Sequence, residues 1–468
     1  MKKIIALIIT ACLIGAAVFV LVTCDRNEEV DLSAKIEQKI IAYRTDLQDS
    51  ASTLTSTESI KKYLCNWAES KGIDCETDAY DNIIFKIKAG PGYKDAPPTV
   101  LLCGYDGEHF NNCIDPMAVA LYVAKNNEET GKLTVIFTAD NDHDFSGMKH
   151  LDKKYFPDNA NVFNLNGGSK NMWSTTTAGS STYTFSGNIN RTEPRGNQAY
   201  RISIKGLPGG VPDEKIAAYP NPIKELGDLL AYFKTNSVIF ELAKMTGGTS
   251  GSLYPKSVSC TIVIDENDHE KFEKRITTAI DNFNDKYESY GAVYSYKKVK
   301  TPDTVLTSDD MNKLISFLYT TVDGVYERDE EDEILSITNI GAIQCTDDNC
   351  TVSASGNSLT KTGLNQIDLS YTTICGLANI KYKKTTSIDG WSLHKPDEDP
   401  FVQEVSAAFK EYSDGTMKYR DNIAVTNCSY VTKKNPDCNV MNITVNWKRV
   451  EKYAGTLVTF MMNQNQEK

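Results

Sequence analysis

The sequence is short of positive charge. Its 468 residues include 50 lysines and arginines against 62 aspartates and glutamates, which gives a formal net charge of −12 at pH 7. Binding to nucleic acid needs a basic face, so this balance argues against nucleic acid as a partner. The chain also has no internal repeat and no long low-complexity segment, and 40% of its residues are hydrophobic. These features predict an ordinary globular protein with a substantial core.

Two features of hydrolases are scarce or missing. The Gly-x-Ser-x-Gly elbow of serine hydrolases is absent, and there are only five histidines. We interpret His109 and His143 as surface side chains, while His150, His269 and His394 lie in helical or hinge contexts that suggest no catalysis. Hydrolysis by a serine or cysteine nucleophile therefore has no support in the sequence.

The N-terminus predicts export. Lys2 and Lys3 precede an apolar run over residues 4–22, which is the pattern of a signal sequence and is close to the roughly 20 residues that cross a bilayer. The following Leu-Val-Thr-Cys resembles a lipobox with Cys24 as the lipidated residue. A cleaved signal, a membrane anchor and a lipoprotein signal all remain open. Each would place the rest of the chain outside the cytoplasm, secreted or anchored to a membrane.

Cysteine usage agrees with an oxidising compartment. Without Cys12 and Cys24, ten of the twelve cysteines remain, and their spacing suggests local pairs. The alternative is ten thiols, because sequence alone does not fix connectivity. The predicted disulfides are Cys65–Cys75, Cys103–Cys113, Cys345–Cys350, Cys428–Cys438 and, from the two that remain, Cys260–Cys375.

The order of elements predicts the fold class. Helical periodicity over 56–69 and 116–127 alternates with strand-like runs at 99–102, 132–140 and 160–166. Such alternation is typical of an α/β fold with a doubly wound, mostly parallel sheet.

An α+β segment interrupts this pattern. It contains a strand at 198–205, amphipathic helices at 221–234 and 268–289, and a predicted strand at 366–374. The α/β pattern then returns, with a helix at 399–413, strands at 422–427 and 439–445, and a last helix. We therefore predict an N-terminal signal or anchor (1–24), the first part of an α/β domain (30–197), an inserted α+β domain (198–386) and the second part of the α/β domain (387–468).

The stretch LLCGYDGEHFNNCIDP (101–116) follows a buried strand and leads into a helix. It carries Asp106, Glu108, His109 and Asp115. Open α/β enzymes place their chemistry at such strand ends, so this loop is the first candidate site. It is a metal site, the remnant of one, or a polar loop.

Three motifs carry a family resemblance. IKGLPGG (204–210), MTGGTSGSLYP (245–255) and DGWSLHKPDEDP (389–400) resemble the aminoacyl-histidine dipeptidases, two-zinc exopeptidases related to the carnosinases. The resemblance runs from about residue 35 to the end of the chain. It implies a catalytic α/β domain and an inserted α+β lid domain, which often mediates homodimerisation.

The resemblance assigns metal roles to the first loop. The histidine that would bind zinc corresponds to Gly104, which has no donor atom. Asp106 matches the carboxylate that would orient that histidine, and we expect it to have nothing left to orient. Asp115 matches the aspartate that would bridge both metals.

The remaining catalytic positions are altered as well. In TADNDHDFSGM (138–148), the general base corresponds to Asn141 and the next ligand to Asp142, although a one-residue slip would place Asp140 at the base. An amide is a poor general base. A further ligand corresponds to Asn166, and the segment with the final histidine is missing from NVMNITVNWKRVEKY (439–453).

The lid positions that would contact substrate are also changed. The histidine of a Gly-Gly-His motif corresponds to Val211, and an Arg-Asn pair corresponds to Gly251 and Ser252. In the family, such groups bind the substrate carboxylate and the developing oxyanion.

Two functional hypotheses follow. Two of the five metal positions keep a carboxylate and none keeps an imidazole, so we expect no bound cofactor and an exported, non-catalytic binding or surface protein whose ligand is unknown. The alternative is an active extracellular dipeptidase, with zinc in a site rebuilt from Asp106, Asp115 and the cluster Asp140, Asp142, His143 and Asp144. A weak, hydrated Ca²⁺ or Mg²⁺ site is a third reading of the same carboxylates.

Overall fold

The computed structural model describes residues 33–107, 109–140 and 145–464. The predicted signal or anchor, with Cys24, lies outside these ranges, as do Asn141 and Asp142. No helix within them is long and apolar enough to cross a bilayer. The described chain divides into two compact units. The first comprises residues 33–175, 393–420 and 430–464, and the second comprises 176–392 and 421–429.

The helices and strands are numbered in chain order. The helices are α1 (33–50), α2 (Thr57–Ser70), α3 (Ile114–Lys125), α4 (Ser146–His150), α5 (Pro222–Thr235), α6 (His269–Tyr287), α7 (Ser308–Thr320), α8 (Lys361–Ala378), α9 (Pro400–Ser413), α10 (Cys428–Lys434) and α11 (Val450–Asn463). The strands are β1 (Asp74–Thr77), β2 (Ile83–Ile87), β3 (Thr99–Tyr105), β4 (Leu133–Ala139), β5 (Asn161–Gly167), β6 (Met172–Ser174), β7 (Thr176–Thr177), β8 (Gly179–Asn188), β9 (Arg191–Thr192), β10 (Gln198–Lys205), β11 (Phe240–Gly248), β12 (Val258–Ile264), β13 (Val293–Val299), β14 (Val305–Leu306), β15 (Gly324–Arg328), β16 (Ile334–Cys345), β17 (Asn349–Ser358), β18 (Lys381–Ile388), β19 (Trp391–Ser392) and β20 (Asn439–Val445).

The first unit is built on a seven-stranded sheet in the order β1-β2-β4-β3-β5-β20-β6. The four central strands, β4, β3, β5 and β20, are parallel to one another, and the strands outside them pair antiparallel. Strand β4 is buried along its whole length, and β3 is buried except at Gly104. Such continuous burial is typical of the centre of a parallel sheet. The predicted α/β class with a mostly parallel sheet is therefore confirmed.

The second unit contains a nine-stranded antiparallel sheet, the predicted α+β insert. Its path runs β13-β10-β12-β11-β16-β17-β8-β18, and β15 pairs with β16. Strand β8 pairs with both β17 and β18, and it belongs to this unit, which comprises residues 176–392 and 421–429. Helices α5 and α8 pack on this sheet, and the apolar side chains between them form a core separate from that of the first unit.

Two predicted strands are absent. Residues 366–374 lie inside α8, where Ile367, Tyr371 and Cys375 recur at helical spacing and are buried. The Thr360 side chain caps the N-terminus of this helix by accepting from Gly363 N. The β-branched and aromatic residues of the segment suggested a strand, but burial of one helical face determines the outcome. Residues 422–427 form only an isolated bridge at Asn422, whose side chain accepts from Ala424 N in a turn.

Two of the five predicted disulfides are present. Cys65 of α2 is bonded to Cys75 of β1, with Cα atoms 5.6 Å apart. Cys345 and Cys350 face each other in register at the end of the β16–β17 hairpin, with Cα atoms 4.0 Å apart. In both cases the turn that links the two elements brings the cysteines together.

The predicted pairs Cys103–Cys113, Cys260–Cys375 and Cys428–Cys438 are wrong, because all six residues are thiols in this structure. Cys260 stands opposite Ile202 and Met245 in its sheet, whereas Cys375 belongs to α8. Cys103 lies in the buried centre of β3, and Cys438 Sγ donates to Pro157 O instead. Short sequence spacing was therefore not enough to predict a bond between Cys103 and Cys113 or between Cys428 and Cys438.

Candidate functional site

The parallel strands of the first unit bring the predicted residues to one edge. Strands β3, β4, β5 and β20 end at Tyr105, Ala139, Gly167 and Val445, and we call this the carboxyl edge. Asp140 N donates to Tyr105 O over 2.9 Å, which joins the loops after β3 and β4. The candidate loop therefore lies where an open α/β sheet builds its site.

Asp115, in the first turn of α3, has both carboxylate oxygens engaged. Arg44 Nε donates to Oδ1 over 2.7 Å, and Trp447 N donates to Oδ2 over 3.1 Å. The Arg44 and Asp115 side chains are 28% and 23% exposed, so this ion pair is partly shielded from water. The Arg44 guanidinium also lies over the Trp447 ring, 5.6 Å from its centroid. We call these three residues the Arg44–Asp115–Trp447 cluster.

The connection between β20 and α11 positions Trp447. Asn446 N donates to Asn171 Oδ1 over 2.6 Å, and the Asn171 amide donates back to Lys448 O. The Asn446 side chain donates to Gly168 O over 3.2 Å. This connection is the place where the resemblance implies a final histidine. Its residues are instead fastened to the 168–171 turn and present a backbone N–H to Asp115.

Asp106 orients a histidine after all. Its side chain is 6% exposed, and Oδ2 lies 2.7 Å from Nδ1 of His109. The expectation that this carboxylate has nothing left to orient is therefore wrong. His109 is also not a simple surface residue, because its side chain is 24% exposed. A carboxylate held against one ring nitrogen fixes the orientation of an imidazole, as it does around metals and in catalytic dyads.

The other predicted positions at this edge have structural partners. Asp140 Oδ1 accepts from Phe145 N over 2.6 Å, a contact between the residues that flank 141–144. The Asn166 side chain lies 3.4 Å from Gly167 O and 3.5 Å from Thr444 Oγ1. Among the described residues, an added Cβ at Gly104 would meet only Thr138 Oγ1, at 3.9 Å. A Cβ at this position would therefore make no close contact with the described residues.

In the second unit, the predicted substrate positions lie in two neighbouring loops. Val211 is 46% exposed. Gly251 O accepts from Asn339 Nδ2 over 3.1 Å, and a Cβ at Gly251 would lie 3.1 Å from Ala354 N. Ser252 Oγ lies 2.9 Å from Ser250 Oγ. A large side chain at Gly251 would therefore need the backbone to move.

The thiols near the carboxyl edge are poor nucleophiles. Burial raises the pKa of Cys113 to about 12, and burial also raises the pKa of Cys103 well above its ordinary value. Since the thiolate is the reactive form, neither thiol is activated at neutral pH.

Comparisons with known proteins identify the fold. The sequence matches no protein-family model and no curated protein. Among solved structures, an aminoacylhistidine dipeptidase from Vibrio alginolyticus superposes with a TM-score of 0.60 at 17% identity, over 89% of this chain and 96% of the other. This chain has the aminoacylhistidine dipeptidase fold. The predicted resemblance is confirmed at the level of the fold.

Two further structures are similar at lower scores. The di-peptidase Dug1p from Saccharomyces cerevisiae has a TM-score of 0.50 at 9% identity, over 93% of this chain and 99% of that protein. Human carnosine dipeptidase 1 has a TM-score of 0.49 at 9% identity, over 93% of this chain and 100% of the human chain.

The described donor atoms do not fit the zinc pair that the resemblance implies. Gly104 offers no ligand, Asn166 offers only an amide, and both oxygens of Asp115 are engaged by Arg44 and Trp447. Within residues 33–107, 109–140 and 145–464, no three histidine, cysteine, aspartate or glutamate side chains are grouped so that they could hold a metal ion. A zinc ion prefers four nitrogen, sulfur or carboxylate ligands.

Sequence reasoning missed Arg44 and Trp447. Arg44 lies 71 residues before Asp115, in a helix without a motif, so no local signal could have found the contact. Trp447 gave a weak signal, because it stands two residues after β20, where the resemblance implies a histidine. The Asp106–His109 pair, three residues apart, could have been proposed from its spacing.

Proposed function

We propose that this protein is an exported, non-catalytic relative of the dipeptidases that serves as a binding or surface protein. The observation that carries the proposal is the state of Asp115, the position expected to bridge two metal ions. Both of its oxygens are engaged, one by a guanidinium at 2.7 Å and the other by a backbone N–H. A metal at this carboxylate would have to displace Arg44 or lie beside its positive charge.

The chemistry of the neighbouring positions supports the same proposal. A bridging water needs a general base, and the amide of Asn141 cannot accept its proton. Gly104 has no side-chain atom that could bind a metal ion. Of the positions expected to bind metal, the described residues thus keep one carboxylate, Asp115, which forms an ion pair with an arginine of the same chain.

Export is part of the proposal and rests on separate observations. The N-terminal sequence has the charge and apolar pattern of a signal or anchor. The Cys65–Cys75 and Cys345–Cys350 disulfides suit an oxidising compartment. A homodimer formed through the inserted unit, as the resemblance implies, is a further expectation that light scattering of the purified protein would test.

The decisive experiment measures metal content and hydrolysis together. Purified protein, supplied with excess zinc and then desalted, is analysed for bound metal and assayed with an aminoacyl-histidine dipeptide. We expect less than stoichiometric zinc and no hydrolysis above a heat-treated control. Stoichiometric zinc with hydrolysis that Asp115→Ala abolishes would refute the proposal.

One observation favours the alternative, an active dipeptidase with a rebuilt site. Asp106 holds His109 as a carboxylate holds a metal-binding or catalytic imidazole. In that case His109→Ala would abolish hydrolysis while leaving the fold intact. If the enzyme is inactive, the same substitution changes nothing in the dipeptide assay.

A further inference from the structure

The opposite end of the first unit's sheet carries a cavity of about 320 Å³. It lies at the amino ends of the parallel strands, beside Pro98 before β3 and Lys132 before β4. We call it the basic pocket. Its size falls at the lower end of the range for small-molecule sites, roughly 300–1,000 Å³. Neither the dipeptidase resemblance nor the carboxyl edge accounts for it.

The floor of the basic pocket is a row of residues across three strands. Lys86 of β2 stands opposite Thr134 of β4, which stands opposite Val100 of β3. Residues in register on neighbouring strands point to the same face of the sheet. Val100 and Thr134 are buried at 1% and 8% exposure, so the floor is well packed, and the Lys86 side chain rises from its edge.

The wall comes from the segment between α4 and β5. Lys154, Tyr155 and Pro157 line it, and the Lys154 ammonium lies 5.0 Å from the centroid of the Tyr155 ring. Tyr155 is buried, and its hydroxyl donates to Glu76 Oε1 over 2.7 Å, so the ring is fixed.

The charges of the basic pocket do not cancel. Lys86, Lys132 and Lys154 all line it, and no acidic side chain among the described residues does. Glu76 pairs with Lys86 at 2.5 Å, and hydrogen bonds from Lys86 and Tyr155 hold the pKa of Glu76 below its ordinary value. This ionised carboxylate therefore offsets one ammonium. Asp152 lies 3.7 Å from Lys154, and both side chains are more than half exposed, so that pairing is weak.

We propose that the basic pocket binds a small organic anion, with its carboxylate or phosphate among Lys86, Lys132 and Lys154 and its apolar part against Pro98, Val100 and Pro157. The basic pocket combines apolar surface with three charged side chains, and ligand pockets commonly join apolar surface to a few polar groups that orient the ligand. Positive charge collected in one cavity of a chain with net charge −12 would also attract anions selectively. The proposal does not depend on whether the carboxyl edge is catalytic.

Calorimetric titration with four probes tests this assignment. Phenyl phosphate and benzoate each combine an anion with an apolar ring, inorganic phosphate lacks the ring, and benzyl alcohol lacks the charge. We expect at least one of the two aromatic anions to bind saturably with a Kd on the order of 1 mM, a plausible value for so small a ligand. Comparison of phenyl phosphate with benzoate tells which anion the pocket prefers. Inorganic phosphate should bind more weakly, and benzyl alcohol should not bind.

Charge reversal locates the site. Lys132→Glu and Lys154→Glu change exposed side chains on separate segments. Each substitution replaces attraction with repulsion, so each should raise the Kd of the aromatic anion about tenfold. Lys62→Glu, an exposed lysine of α2 outside the pocket, is the matched control and should change nothing. Absence of saturable binding by both aromatic anions, equal binding of benzyl alcohol, or unchanged affinity in both pocket variants would each overturn the proposal.

Discussion

The two compact units hold acidic side chains in different ways. In the first unit, Asp115 meets a full positive charge, the guanidinium of Arg44 at 2.7 Å. In the second unit, the hydrogen-bond donors to Oδ1 of Asp323 are neutral, because this oxygen accepts from Ile340 N and from Asn221 Nδ2, each over 2.7 Å. Burial raises the pKa of Asp323 to about 7. An acid with a cation beside it can stay charged in a shielded place, whereas an acid among amides is driven to take up a proton.

The contrast bears on function. A carboxylate that bridges two metal ions needs cations on both sides, and at Asp115 one of those places is taken by an arginine of the same chain. Asp323 shows how far desolvation raises the pKa of a carboxyl group whose hydrogen-bond donors are neutral. In the Arg44–Asp115–Trp447 cluster, the Arg44 guanidinium compensates the negative charge of Asp115.

The largest expected effect comes from removing the charge at Asp323. The folded-state pKa is raised from 3.8 to about 7, so the folded protein holds a proton that the unfolded chain releases. Stability contributed by this group is present at low pH and is lost as pH rises from about 4 to about 7, a change on the order of 4 kcal/mol. Asp323→Asn keeps an acceptor oxygen and should be close to neutral at pH 4, and more stable than the wild type at pH 8.

Urea denaturation at pH 4, 6 and 8 measures the difference. Lys224 lowers and Asp228 raises the pKa of Asp323, so both residues stay unchanged in the variant. Asp347→Asn, an exposed position of the same unit, serves as the control and should run parallel to the wild type. A constant difference between Asp323→Asn and the wild type at all three pH values would contradict this account.

Much of the fold could be predicted from the sequence, because buried apolar residues recur with the period of a helix or a strand. The apolar runs of β3 and β4 and the helix at Ile114–Lys125 follow the predicted pattern within a few residues. The Cys345–Cys350 bridge follows from a five-residue spacing that only a hairpin closes. The strand predicted at residues 366–374 was wrong, because strand-like composition does not show that every fourth residue faces the core.

The candidate site was predictable only in part. The resemblance located Asp106 and Asp115 at the correct edge, because strand order determines which ends meet. It could not supply their partners. Arg44 reaches Asp115 from another helix, and Trp447 N–H reaches it from the connection after β20. Such contacts depend on tertiary packing, which no local pattern records.

An intermediate effect on the free energy of unfolding is expected from a double-mutant cycle on Arg44 and Asp115. The cycle measures how much the ion pair contributes at Asp115. Both side chains are less than a third exposed, so removing either partner leaves the other charge partly shielded. We expect a coupling of about 1–2 kcal/mol between Arg44→Ala and Asp115→Ala in urea denaturation. The exposed pair Lys395–Glu398, at 59% and 70% exposure, is the matched control and should show coupling below about 0.5 kcal/mol. Equal coupling free energies in the two cycles would mean that the ion pair with Arg44 stabilises the fold no more than an exposed pair does.

The smallest effect on stability is expected for Gly104→His, which restores the imidazole that the dipeptidase resemblance implies. Among the described residues, a Cβ at this position meets only Thr138 Oγ1 at 3.9 Å, so the free energy of unfolding should change by less than about 1 kcal/mol. Metal analysis after zinc loading should still find no stoichiometric zinc, because Arg44 holds Asp115. Gly104→His combined with Arg44→Ala frees that carboxylate and should bind zinc more tightly than either single variant. If Gly104→His alone binds stoichiometric zinc, the contact between Arg44 and Asp115 is no barrier to metal binding.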